Sequence, residues 1–211
     1  MSGGWAPVPS WVMGHPAESH GIAVFFHGGT GRARPRPAVT DPAYLRMVPF
    51  ALACRARSRG QIAGILVSHP GGGWMGRMPV LARELDSLAR QLVPIVGDKP
   101  LCIVGHSSGG HAALVAAARW EDTFRVAGVA ALAPYVPDGR TYAGHAPVLL
   151  GHGTRDRVTS FAASRALAQR LAADGRDVTF ESVDDGHAML RRAGTWHRFV
   201  ADFALRGLVP R

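Results

Sequence analysis

The sequence predicts an α/β fold, a mainly parallel sheet of about six to seven strands with helices on both faces. Three observations predict it. Short aliphatic runs recur along the chain, longer segments of helical period separate them, and several runs end in loops built from Gly, His and Ser. Parallel strands need crossovers, and right-handed crossovers lay helices over the sheet. In an open sheet of this kind ligands bind beyond the carboxyl ends of the strands, so chemistry is expected in the loops there.

Met1 to His20 is rich in Pro, Gly and Trp and lacks a period, so it is expected to cover the sheet edge or supply one short strand. The runs Ile22 to Phe26, Ile62 to Val67, Leu101 to Val104, Val126 to Leu132, Val148 to Leu150 and Val178 to Val183 read as six strands. Between them Pro42 to Arg59, Pro79 to Ile95, Ser108 to Trp120, Phe161 to Ala173 and a last segment near Leu190 to Leu205 read as helices. Asp41 and Pro42 supply an N-cap and a first turn, and Pro49 is expected to kink or split that helix. No repeat, low-complexity tract or linker divides the chain, so residues 1–207 are expected to form one domain. Leu208 to Arg211 matches the recognition end of a thrombin-cleavable linker and is set aside from fold reasoning, native sequence being the other reading.

The 211 residues are 47% apolar and 18% charged, with no run able to span a bilayer and no basic-then-apolar leader. A soluble, cytoplasmic protein without a membrane partner is expected. Cys54 and Cys102 are expected to be buried free thiols. The net charge of +9 invites a nucleic-acid reading, but every basic residue except Lys99 is an arginine and these are scattered, with no aromatic-interleaved block, so none is expected. No His-Glu-x-x-His pair or Cys cluster predicts a metal. Gly71 to Gly76 formally fits a dinucleotide fingerprint and follows a predicted strand, but no Asp or Glu stands near the end of the next strand, about 20 residues on, where it would bind ribose hydroxyls, so no cofactor is expected.

Gly105-His106-Ser107-Ser108-Gly109 follows the Leu101 to Val104 run and precedes a helix. A serine at such a junction must turn sharply, and small residues two positions either side let the turn pass its neighbours while the hydroxyl is pushed into the open. His27-Gly28-Gly29-Thr30-Gly31, after the first central run, offers minimal side chains and accessible N–H groups. Acyl transfer builds negative charge on a carbonyl oxygen, and the N–H groups of Gly29 and Ser108 are the expected donors to it. Gly151-His152-Gly153-Thr154-Arg155-Asp156 delivers a carboxylate, and Asp185-Gly186-His187 a histidine, to the same end of the sheet. A serine hydroxyl needs a base to take its proton, and an imidazole needs a partner to fix its tautomer; His187 and Asp156 can fill those roles for Ser107.

Phe25 to Gly29, Gly105 to Gly110, Gly151 to Gly153 with Asp156, and Gly186-His187 together resemble the α/β-hydrolase superfamily, over roughly residues 21 to 206. The resemblance implies a sheet lacking one or both of the family's leading strands, with Ser107 as nucleophile, Asp156 as orienting acid and His187 as general base. Asp184 and Asp185, close to His187 in sequence, are read as shaping its loop. His27, Gly28 and His106 are expected at the substrate. Trp74 and Met75 either line an acyl pocket or belong to a surface loop.

Between Ala133 and Pro147 only about a dozen residues intervene, where family members often insert a cap domain, so an open groove suited to a bulky or carrier-tethered ester or thioester is expected. Arg32, Arg34, Arg36, Arg77, Arg155 and Arg157 fall in loops at that end and either draw anionic substrates or reflect an arginine-rich composition. The expected activity is cleavage of carboxylic esters or thioesters through an acyl-enzyme. Peptidase or amidase action with the same residues, and a non-hydrolytic cyclase-like or binding role, are the alternatives.

Overall fold

The computed structural model describes residues 6–29, 38–69, 73–74, 78–137 and 142–210. Strands β1 (Val8–Met13), β2 (Gly21–Phe26), β3 (Ile62–Ser68), β4 (Leu101–His106), β5 (Val126–Leu132), β6 (Val148–Gly153) and β7 (Val178–Val183) form one sheet in the order β1-β3-β2-β4-β5-β6-β7. All neighbours pair in parallel except β1, which runs antiparallel to β3 at the edge with a register shift between Pro9 and Trp11. The amino-terminal segment therefore supplies the short edge strand. A proline and a register break suit an edge, where fewer ladder bonds are at stake.

Helices α1 (Pro42–Leu45), α2 (Met47–Arg57), α3 (Met78–Val96), α4 (Ser108–Trp120), α5 (Phe161–Ala173) and α6 (Ala193–Leu208) complete the layers. The predicted Pro42 to Arg59 helix is indeed split, but at Arg46: Pro49 is tolerated in the first turn of α2, where its missing N–H has no intrahelical partner. Asp41 caps α1 by accepting from the Ala43 N–H at 2.8 Å.

Each central strand is apolar on both faces, and alternate residues enter two cores. On one side Ile22, Val24, Phe26, Leu101 and Ile103 pack with Leu81, Leu85, Leu88 and Leu92 of α3 and the buried stripe of α4. On the other Ala23, Phe25, Cys102 and Val104 pack with Met47 and Phe50 of α2 and Trp196, Val200 and Ala204 of α6. Cys54 and Cys102 are free and buried in this second core, and burial pushes the Cys54 thiol up to about 12. The connection from β5 to β6 carries no cap domain. Its described part is fastened to the body: Glu121 accepts from the Ala146 N–H at 3.0 Å, and Arg176 donates to the carbonyls of Tyr142 and Ala146 at 3.0 Å each. Among the described residues no helix is long and apolar enough to cross a membrane.

Candidate active site

Ser107 joins β4 to α4 with φ 58° and ψ −123°, a conformation non-glycine residues rarely adopt and one costing about 1–3 kcal/mol. Backbone bonds hold it there. Its N–H donates to Leu132 O at 2.9 Å, and its carbonyl accepts from the N–H groups of Gly110, His111 and Tyr135 at 3.0, 3.2 and 3.1 Å. The turn is packed against its neighbours so closely that a β-carbon at Gly105 would lie 2.1 Å from Gly109 O, and one at Gly109 would lie 2.4 Å from Phe26 O. Both flanking glycines are thus required by close approach. Ser107 itself is partly exposed, less open than a capless fold suggests.

The loop after β2 lies against this turn: a β-carbon at Gly28 would come 2.9 Å from that of Ser107. The Ser108 hydroxyl donates to Gly29 O at 3.1 Å, which fastens the loop to the start of α4. As the first residue of that helix, Ser108 has a backbone N–H that needs no carbonyl of the helix. His27 braces the loop from inside. Its Nδ1–H donates to Gly28 O at 2.6 Å, and its Nε2 accepts from the His69 N–H at 3.0 Å, which fixes the tautomer. Burial lowers its pKa and keeps it neutral. Gly73, at φ 110°, packs so closely that a β-carbon there would meet Gly29 Cα at 2.7 Å.

Asp156, after β6, and His187, after β7, meet at the same end of the sheet. His187 Nδ1–H donates to Asp156 Oδ2 at 2.8 Å, and the Thr159 hydroxyl lies 2.9 Å from that oxygen and 3.2 Å from His187 Nδ1. The other carboxylate oxygen accepts from the N–H groups of Val158 and Thr159 at 2.7 and 3.0 Å. Burial of the carboxyl works to raise its pKa, but these hydrogen bonds, led by that from His187, outweigh it and leave Asp156 below its ordinary value. His152 stands behind, fully buried, with Nε2 3.1 Å from Asp156 Oδ2 and Nδ1 2.8 Å from the Ser164 hydroxyl.

His106 connects the two halves. Its Nε2–H donates to the His187 carbonyl at 2.8 Å, and the two rings lie 4.8 Å apart. Burial, then the charges of His187 and Arg46, push its pKa down to about 3, so it stays neutral. The residue preceding Ser107 in the chain thus grips the backbone of His187.

Asp185 accepts from the N–H groups of Gly186, Arg192 and Arg191 at 2.8, 2.9 and 3.3 Å and from Trp196 Nε1 at 3.1 Å, so it organises the His187 loop from below. Asp184 pairs with Arg155 across the β6 and β7 loops.

Ser107, Ser108, Gly28, Gly29, His106, Asp156 and His187 are therefore brought together. Three of the residues expected at the substrate are buried. His27, His106 and Trp74 are 2%, 1% and 1% exposed, because each is used in packing or in holding a loop. Trp74 stacks on Phe26 at 4.6 Å and meets the His69 ring edge-on at 4.8 Å, beneath the site. Met75, Arg32, Arg34, Arg36 and Arg77 lie outside the described residues. Thr159 was missed, although an Asp followed three positions on by Thr is the spacing of a side-chain-closed turn. Among the described residues no three His, Cys, Asp or Glu converge as a metal would require.

The Esterase family model matches residues 58–184, more than half of the chain. The chain belongs to the Esterase family. The match includes Ser107 and Asp156 and ends three residues before His187. In structure the chain is similar to Est1E from Butyrivibrio proteoclasticus with ferulic acid bound, at 16% identity over 95% of both chains and a TM-score of 0.67. It is similar to XC6422 from Xanthomonas campestris, an α/β serine hydrolase without lid, at 18% identity over 95% of this chain and 89% of that one, TM-score 0.68. The enol-lactonase from Burkholderia xenovorans LB400 aligns at 15% identity over 92% and 94% of the two chains, TM-score 0.64. No curated protein matches the sequence. The fold is that of the α/β-hydrolases, without a cap domain, and the protein is a carboxylesterase-like hydrolase.

Proposed function

We propose that the protein cleaves carboxylic esters and thioesters through an acyl-enzyme on Ser107, with His187 as general base and Asp156 as its orienting partner. The observation that carries this reading is the 2.8 Å contact between His187 Nδ1 and Asp156 Oδ2, set beside a serine held at φ 58° by a glycine-flanked turn.

Ser107 Oγ attacks the acyl carbon while its proton passes to His187 Nε2. The Nδ1–H bond to Asp156 holds the ring in the tautomer that leaves Nε2 free to accept, and the carboxylate stabilises the imidazolium. Negative charge gathers on the former carbonyl oxygen, where the N–H groups of Gly29 and Ser108 receive it; each such donor is worth about 2.7–4 kcal/mol in the transition state. Collapse expels the alkoxide or thiolate, protonated by His187. Water then attacks the acyl-enzyme with His187 again as base, releasing the acid and restoring Ser107. The connection after β5 is too short to carry a cap domain, which favours an ester too large to be sealed in.

Turnover of p-nitrophenyl esters of rising chain length, of an acyl thioester and of an aminoacyl anilide tests the reading. Ester and thioester turnover with little on the anilide is expected. Anilide turnover exceeding that of the esters, or silence on all three, contradicts it.

A further inference from the structure

Arg46 ends α1 and precedes α2. Among the described residues its guanidinium makes no hydrogen bond and no ion pair, and its Nε is buried without an acceptor. Asp41 is the carboxylate whose charge reaches it, and that side chain is engaged in capping α1. At that buried Nε–H the guanidinium has lost hydration without replacing it, an unfavourable state unless a partner arrives.

Its surroundings say where the partner would sit. Two residues before it, the Tyr44 ring packs edge-on against His27 in the loop over Ser107, with centroids 5.8 Å apart. The next residue, Met47, lies in the same core as Met189, two positions after His187. Arg46 is also near enough to His106 for its charge to disfavour protonation of that ring, whose Nε2–H holds the His187 carbonyl. Arg46 is thus at the reacting end of the sheet, where its charge reaches His106, the residue before Ser107. Arg155, by contrast, is already paired with Asp184.

We propose that Arg46 binds a carboxylate of the substrate, so that the preferred esters carry a second, ionised carboxyl group near the scissile carbonyl. This rests on the reading of Ser107 as the nucleophile of an esterase. The guanidinium fork matches a carboxylate in two parallel hydrogen bonds, and the charge-assisted bonds form where water has been partly removed.

The test compares two matched pairs: p-nitrophenyl hemisuccinate against p-nitrophenyl butyrate, with the carboxylate on the acyl side, and 4-acetoxybenzoate against phenyl acetate, with it on the alcohol side. The wild-type protein is expected to prefer the anionic member of at least one pair, the preference shrinking as salt is raised. In Arg46→Met, which keeps the aliphatic stem, the anionic-to-neutral ratio of kcat/KM is expected to fall about 10- to 100-fold, and Arg46→Lys is expected to retain part of it. Should Arg46→Met not fold, the wild-type ratio and its salt dependence still decide. Equal rates within both pairs, or a ratio unmoved by Arg46→Met, overturn the proposal while leaving the esterase reading intact. Hydrolysis of neither member of either pair overturns both.

Discussion

Gly105→Ala tests whether the turn around Ser107 is as tight as the geometry requires. The added β-carbon would lie 2.1 Å from Gly109 O, 2.5 Å from Gly109 C and 2.8 Å from Gly110 N, all backbone atoms that cannot rotate aside. Relieving the nearest contact moves β4 and the start of α4 apart by about 1 Å, and Ser107 lies between them; a misplacement of that size costs about 100-fold in rate. The overpacking itself destabilises by about 1–3 kcal/mol, which for a chain of this length lowers Tm by roughly 2–12 °C. The assay is kcat/KM for p-nitrophenyl acetate beside a thermal melt, with Gly194→Ala as the control, since a β-carbon there meets nothing within 4 Å. The control is expected to keep its rate within about twofold. A folded Gly105→Ala protein with wild-type Tm and kcat/KM would refute the reasoning.

Stability is expected to fall on acidification well before the carboxylates titrate. His106 titrates near 6.5 unfolded and at about 3 folded, so between those values the unfolded chain binds the extra proton and the folded state loses roughly 5 kcal/mol in all. His27 and His152, both lowered first by burial, act in the same direction. The lowered Asp156 and Asp185 contribute stability that is present above about pH 4 and lost below it, so they do not mask the trend. Melting curves from pH 7.5 to 4.5 check this; His106→Gln should flatten the slope, and an equally steep slope in that variant would count against the assignment. Asp185→Ala removes the acceptor of four donors, one of them the buried Trp196 Nε1. A loss of about 3 kcal/mol in denaturant melts is expected together with a lower kcat, because the His187 loop loses its floor; full kcat with unchanged stability would show that the loop is held by other means.

The layered fold was legible because each central strand is a short, doubly apolar run and each helix keeps its period, as the Leu81, Leu85, Leu88 and Leu92 stripe of α3 does. The loops of the candidate site were legible for a related reason: Gly105 and Gly109 leave a mark in sequence wherever backbone meets backbone. Trp74 was not legible, since a tryptophan in a glycine-rich stretch carries no sign of which side it faces. Its stacking on Phe26 depends on a contact between distant segments. The grip of His106 on the His187 carbonyl was hidden likewise, because the acceptor is backbone, 81 residues away. Arg46 left no trace in a chain with arginines throughout. What marks it is a buried Nε without an acceptor in a side chain whose charge reaches His106, a property of the folded arrangement.

The claim that Ser107 is the nucleophile is tested most directly by mass spectrometry after treatment with a fluorophosphonate. A single covalent adduct on the peptide containing Ser107 is predicted, lost in Ser107→Ala together with esterase activity. An adduct that persists in Ser107→Ala, or hydrolysis that survives the substitution, would contradict the account.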